Sequence, residues 1–358
     1  MEELKATPLR TDHENLKALM APFGGWLMPI QYSGIIAEHK WCRERAALFD
    51  ICHMGEFIFK GDMEGVFTFS VSSIPVGRSR YGFLLNDVGG VIDDLIVFRL
   101  AEDEAMIVVN AATTDNDFAV IRSRLKNPAA LTDISARTGK VDLQGPLSRE
   151  IMVQHFGAAI QGIPFFKFIK TSILGSDAIV SRTGYTGELG YEIFLPADKV
   201  AELWRLLLQD PRVAPAGLGA RDLLRLEMGY SLYGNDLDEQ ITPITAGLST
   251  FVNMNKEFVG KAALEREVEQ GSQRMKVAFK VDSRRAPRHF YQILLQDQEV
   301  GVVTSGAFSP MLSCGIGLGL VKPEAAALGT RLTIRHEKVE MEAQVVELPF
   351  YTGGSLRS

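Results

Sequence analysis

The chain has 358 residues, with 38 Lys plus Arg against 44 Asp plus Glu and a formal charge of −6. Apolar residues make up 46% and charged residues 23%, with 33 Gly and 15 Pro, which suits a globular protein of two or three domains and excludes collagen-like and low-complexity chains. The acidic balance argues against non-specific nucleic-acid binding, and no apolar run reaches the ~18 residues of a membrane-spanning helix.

The first residues mix acids and bases around no apolar core, which fits neither a secretory signal nor a transit peptide. Turn signals at Pro22, Gly24, Gly25 and Pro29 precede a helix-like stretch from about Ile35 to Ala47. Glu56 to Lys60 reads as a strand, and Asp62 to Val71 as a helix. Gly89 and Gly90 break the chain before a β-branched, apolar strand, Val91 to Phe98. Another strand follows from Ala105 to Asn110, then a helix from Asp115 to Leu125. Residues 51–138 therefore read as a small α+β sandwich domain. Strands are expected at Ala178–Arg182 and Tyr191–Leu195, on either side of a turn-rich segment. Amphipathic helices are expected at Asp198–Leu208, with Asp198 as N-cap, and at Ala220–Met228. Residues 1–50 and 139–250 make a discontinuous first α+β domain. One helix, Gly260 to Gln270, introduces a β-rich domain over 251–358, expected as a barrel or sandwich.

Four stretches carry unusual chemistry. Asp93 and Asp94 are adjacent acids in an apolar strand, where neighbours point to opposite faces. One is directed inward or into a cleft, and a buried carboxylate needs a donor or a ligand. Capping a nearby loop is the plainer alternative. Arg182 to Glu192 (RTGYTGELGYE) interleaves Gly with Tyr and Glu, as a binding loop or a plain hairpin would. It fits neither a Walker loop nor a dinucleotide fingerprint. Arg221 falls in the first turn of a predicted helix, where a cation opposes the dipole; an acidic ligand, or a salt bridge to Asp222 or Glu227, would answer it. Tyr233 to Glu239 reads as a polar turn, since it lacks the calcium-loop pattern. The six His are dispersed without metal spacing, and no Gly-x-Ser-x-Gly elbow is present. Cys42, Cys52 and Cys314 form no disulfide framework, and a reducing cytoplasm fits them best.

Taken in order, these segments resemble the glycine cleavage T-protein (aminomethyltransferase) family along nearly the whole chain. The matching stretches are FGGWLMP from Phe23, FDICHMGE from Phe49, GGVIDDL from Gly89 and Gln144-Gly145-Pro146. They continue through Arg182–Glu192, AGLGARDLLRLE from Ala216, LYGNDLDE from Leu232, FVGK from Phe258 and TSGAFSP from Thr304. The resemblance implies an α+β, three-domain cloverleaf around a central folate-binding hole. It implies transfer of an aminomethyl carbon from the lipoyl arm of H-protein to tetrahydrofolate, releasing ammonia. Tetrahydrofolate is the co-substrate, and no metal, nucleic acid or membrane is implied. By the same resemblance Asp94 is the catalytic acid and Glu192 the pterin anchor. Tyr185, Arg221, Tyr81, Asn110, Tyr230 and Met54 are folate-site positions, and Tyr351 and Arg357 close the site. Cys52 stands where the family has Ser, and His289-Phe290-Tyr291 replaces a Gly-Tyr, which leaves that turn open. Two relatives of the same fold are alternatives. One is a folate-dependent demethylating transferase. The other is a non-catalytic folate binder, whose Cys-containing signature is absent from Gly184 to Glu188.

Overall fold

The structure is a computed structural model and describes residues 4–356. Its architecture is mixed α+β, built on three main sheets. The first has six strands in the order Phe168–Ile173, Ser176–Ser181, Gly190–Pro196, Thr138–Gln144, Ala46–Asp50 and Val213–Pro215. One face packs Val141, Leu143, Tyr191, Ile193 and Leu195 against Leu203, Trp204 and Leu207 of helix Val200–Leu207. On the other side Ala47 and Phe49 meet helices Ile35–Glu44 and Leu218–Glu227 through Cys42, Ala220 and Leu224.

The second sheet has five strands, ordered Ser79–Leu85, Val91–Ala101, Glu104–Val109, Gly55–Lys60 and Leu131–Asp133. The third closes into a six-stranded barrel between Met275 and Val346, as the β-rich C-terminal pattern predicts. A small three-stranded sheet (Lys5–Ala6, Trp26–Gln31, Leu19–Phe23) precedes them. Among the described residues no helix is long and apolar enough to cross a membrane.

Three local expectations are corrected. Asp62 to Val71 is a run of turns, not a helix. Gly65 adopts φ +89°, and Met63, Val66, Phe67, Phe69 and Val71 are all buried from an irregular path, with no helical stripe. Strand Ser79–Leu85, which carries Tyr81, was hidden by the Ser, Arg and Gly that interrupt its apolar residues. Asp198 caps nothing: a tight turn, Ala197–Lys199, precedes the helix, and no side-chain cap bond forms. The His289-Phe290 departure makes a surface turn in which Phe290 takes φ +68° and stands exposed.

Two close approaches bring the sheets together at the site. A Cβ on Gly90 would lie 1.8 Å from the Glu239 carbonyl oxygen, so only glycine lets this turn touch the 238–241 segment. There the Val91 amide donates to the Ile241 carbonyl at 3.0 Å. The buried Arg225 guanidinium donates to Asp222, to Asp236 and to Ser305 of the barrel, each at 2.8 Å. It also donates to the Tyr230 carbonyl at 2.9 Å, which fixes the turn through Tyr233–Glu239. That turn is polar and structural, as its sequence suggests.

Candidate active site

The two adjacent acids have separate fates because a strand alternates its faces. Asp93 is fully buried. Its carboxylate accepts from the Asn110 backbone N–H at 2.9 Å and from Asn110 Nδ2 at 2.8 Å. The loop-capping reading thus describes Asp93. Asp94 is half-buried and accepts from the Tyr81 hydroxyl and from Asn110 Nδ2, each at 2.9 Å. Burial raises the Asp94 carboxyl to about 6, against the lowering effect of its Tyr81 and Asn110 bonds. Burial, then the nearby Asp117 and Asp94, push Asp93 well above the carboxylate range. Burial likewise takes Asp117 to about 7. One half-buried carboxyl, raised to about 6, therefore lies beside two buried acids that are raised further.

The first sheet carries the second group of predicted site residues. Glu192, on strand Gly190–Pro196, is buried; it accepts a short bond from Thr183 and lies 3.6 Å from Lys140 Nζ. Directly across the strand pair stands Asp142, which accepts from Arg221 at 2.6 Å. Arg221 therefore finds its acid on the sheet. Asp222 and Glu227 are engaged elsewhere, Glu227 by His39 at 2.8 Å and Arg43 at 2.7 Å. Burial raises the Asp142 carboxyl to about 6, with Arg221 opposing and Glu192 adding to the rise.

Aromatic side chains stand beside these acids and Arg221. Tyr185 donates a short bond to the Ser231 carbonyl and stacks on Tyr230, with centroids 5.8 Å apart. The Arg221 guanidinium lies 5.2 Å from the Tyr185 ring. Met54 sits beside Lys140, Sδ to Nζ 3.4 Å, at the junction of two apolar clusters. Tyr351 lies under the Arg43 guanidinium at 4.5 Å, and its amide donates to the Glu227 carbonyl. The segment after it runs over the Gly-rich loop, the Ser355 amide donating to Glu188 at 2.8 Å. Arg357 lies outside the described residues. Asp94, Tyr81 and Asn110 thus form one cluster on the second sheet. Glu192, Arg221, Tyr185 and Tyr230 form another on the first sheet and its neighbouring helix and loop.

Gln144 shapes the loop between them. Its amide donates to the Thr183 carbonyl at 3.0 Å and accepts from Thr186 at 2.6 Å. A Cβ on Gly184 or Gly190 would come within 2.2 or 2.1 Å of that amide, so both glycines are required by contact. Lys140, Asp142 and Gln144 were missed from sequence. The signal was present: three polar residues at alternate positions between apolar Val141 and Leu143. Cys52 is also structural; its thiol donates to the Lys140 carbonyl at 3.2 Å, and burial pushes it well above the ordinary thiol range.

The GCVT N-terminal domain matches residues 9–256, and the glycine cleavage T-protein C-terminal barrel domain matches residues 274–352. The chain belongs to the glycine cleavage T-protein family. Its relatives include an aminomethyltransferase of Halothermothrix orenii, 41% identical, with 97% of this chain and 100% of the relative covered. One from Listeria monocytogenes is 38% identical over 98% and 99%. The solved structure of glycine cleavage system aminomethyltransferase T from Bartonella henselae superposes with a TM-score of 0.93 at 32% identity, covering 99% of both chains. Membership makes this chain an aminomethyltransferase, a folate-dependent enzyme of the glycine cleavage system.

Proposed function

We propose that the donor is the S-aminomethyl-dihydrolipoyl arm of the lipoylated H-protein and the acceptor tetrahydrofolate. The carbon's bonds to sulfur and to nitrogen break. Its bonds to folate N5 and N10 form, and the two N–H protons leave on the thiol and on ammonia. The products are 5,10-methylenetetrahydrofolate, ammonia and dihydrolipoyl H-protein. Folate N5 is already a nucleophilic amine, so the protein need not generate one.

The chain's contribution is electrostatic. A cationic, iminium-like carbon develops as ammonia departs, and a fixed carboxylate stabilises it in a cleft of low dielectric. Asp94 is that group. It is the one acid of the pair that is half-buried, it is held on both oxygens, and it ionises near 6. This observation carries the reading. Tyr81 and Asn110 fix its orientation. The pterin ring offers adjacent N–H donors, which a carboxylate accepts in parallel. Glu192 takes that role, with Tyr185, Tyr230 and Met54 against the ring and Arg221 beside it. Tyr351, on the C-terminal segment and packed on Arg43, closes the site in this reading. In this reading the boundaries at 50, 138 and 250 divide the chain into a discontinuous folate-binding α+β unit (1–50 with 139–250), a small α+β unit (51–138) and the barrel unit (251–358). Three free cysteines, two of them buried, support a cytoplasmic setting.

The decisive assay combines the purified protein with aminomethyl-lipoylated H-protein and tetrahydrofolate, following methylenetetrahydrofolate and ammonia together. Equal yields of both are expected. Folate binding without turnover would remove this donor from the scheme.

A further inference from the structure

Lys140 is a buried cation with little to hold. Its side chain is 1% exposed, in the middle of the first sheet. Among the described residues its ammonium makes three contacts. Met54 Sδ lies at 3.4 Å, the Phe194 ring at 4.9 Å and Glu192 Oε1 at 3.6 Å. None is an oxygen at hydrogen-bond distance, yet an ammonium carries three donors. Burying such donors without acceptors is costly. The neighbouring Asp142 does not relieve it, because its carboxylate is taken by Arg221 and Gln144, each at 2.6 Å. Glu56, also buried and with an unpartnered Oε1, is pushed by burial to about 8 and so is mostly protonated at pH 7.

Lys140 and Glu192 project from the same face of adjacent strands. Together they offer carboxylate acceptors with a donor next to them. This inference rests on Glu192 as the pterin anchor. A 4-oxo pterin presents the complementary edge: an exocyclic N–H, a ring N–H and then a carbonyl oxygen. With the two N–H groups on Glu192 and the ring N–H toward Oε1, the oxygen that lies 3.6 Å from Lys140 Nζ, the carbonyl falls on the Lys140 side.

We propose that Lys140 donates a hydrogen bond to the 4-oxo oxygen of the folate pterin and thereby selects 4-oxo over 4-amino pteridines. A 4-amino group would turn a second donor toward the ammonium, and the contact would become repulsive.

The test measures dissociation constants of tetrahydrofolate and of its 4-amino analogue for the full chain, Lys140→Met and Glu192→Ala. Lys140→Met is expected to lose about tenfold or more in tetrahydrofolate affinity, the size of one charge-assisted hydrogen bond. It should keep or improve the affinity for the 4-amino analogue, so the ratio of the two constants falls by at least that factor. Lys140→Arg, which retains a donor, should restore most of the ratio; it also serves if Lys140→Met does not fold. A ratio equal to that of the unaltered chain in both variants overturns the proposal, as does an equal loss for both ligands. Glu192→Ala keeps the two readings apart. If it weakens tetrahydrofolate while Lys140→Met leaves the ratio unchanged, only the Lys140 assignment fails. If Glu192→Ala binds tetrahydrofolate as the unaltered chain does, the anchor assignment fails with it.

Discussion

Replacing Asp94 by Asn removes a charge and little else. Asn has the same shape, its carbonyl can accept from Asn110, and its amide can donate to a reoriented Tyr81 hydroxyl, so both 2.9 Å contacts have a substitute. A carboxylate about 4 Å from a developing cation contributes about 4 kcal/mol at an effective dielectric of about 20. Asp94 is only half-buried, which reduces that figure through solvent screening. A loss of about 2.7 kcal/mol, or 10²-fold in kcat, is the expected lower bound. The assay is single-turnover formation of methylenetetrahydrofolate, with folding checked by thermal denaturation. The pH profile gives a second readout. The ionised form is the active one, so the rate of the unaltered enzyme should fall as pH drops through about 6. Asp94→Asn should lack that limb. If Asp94→Asn keeps its rate within a few-fold while Asp93→Asn loses it, the electrostatic assignment belongs to the other acid.

Three further outcomes follow from the same geometry. Arg221→Met leaves Asp142 buried without its cation and should cost about 3 kcal/mol of stability; adding Asp142→Leu should recover stability in denaturant titrations but not folate affinity. Gly190→Ala drives a Cβ into the Gln144 amide and should cost about 1–3 kcal/mol, with tetrahydrofolate affinity falling in parallel in a binding titration. Asp117 is raised from an ordinary 3.8 to about 7 in the fold, so the folded state holds the proton more tightly and stability declines as pH rises between those values. Asp117→Asn removes that decline; its melting temperature should exceed that of the unaltered chain at pH 8, by on the order of 1 kcal/mol in stability, and converge with it near pH 4.

Much of this was legible before any coordinates. A β-rich C-terminal domain, barrel or sandwich, followed from short strands between glycine and proline turns; its closure into a barrel did not. Helices Leu218–Glu227 and Val200–Leu207 followed from apolar periodicity, within a residue or two at most ends. The failures share one cause: the pattern was local and the determinant was not. Asp62–Val71 has helical composition, but five of its side chains are claimed by the second sheet's core. Arg221 has acids at positions 222 and 227, but its partner is 79 residues away on a strand.

The pair Asp93–Asp94 shows how far sequence can go and what must be added. Strand parity alone separates the two acids to opposite faces. It cannot say which face is the cleft, because that depends on what is packed behind each. Asp93 faces the end of strand Glu104–Val109, where the Asn110 amide emerges, and the helix that carries Asp117. Asp94 faces Tyr81, contributed by a strand whose sequence does not look like one. Asn110 joins the two faces: its side-chain amide donates to Asp93 Oδ1 and to Asp94 Oδ1. A fully buried acid and a half-buried one are therefore bound to one residue. The position of the buried acid therefore fixes that of the acid proposed to be catalytic. That coupling predicts a division of effects at Asn110 itself. Asn110→Ala should lower both melting temperature and kcat, whereas Tyr81→Phe, which keeps the ring packing and removes only the hydroxyl bond to Asp94, should lower kcat alone. Equal thermal losses in the two variants would mean that the two acids are held independently.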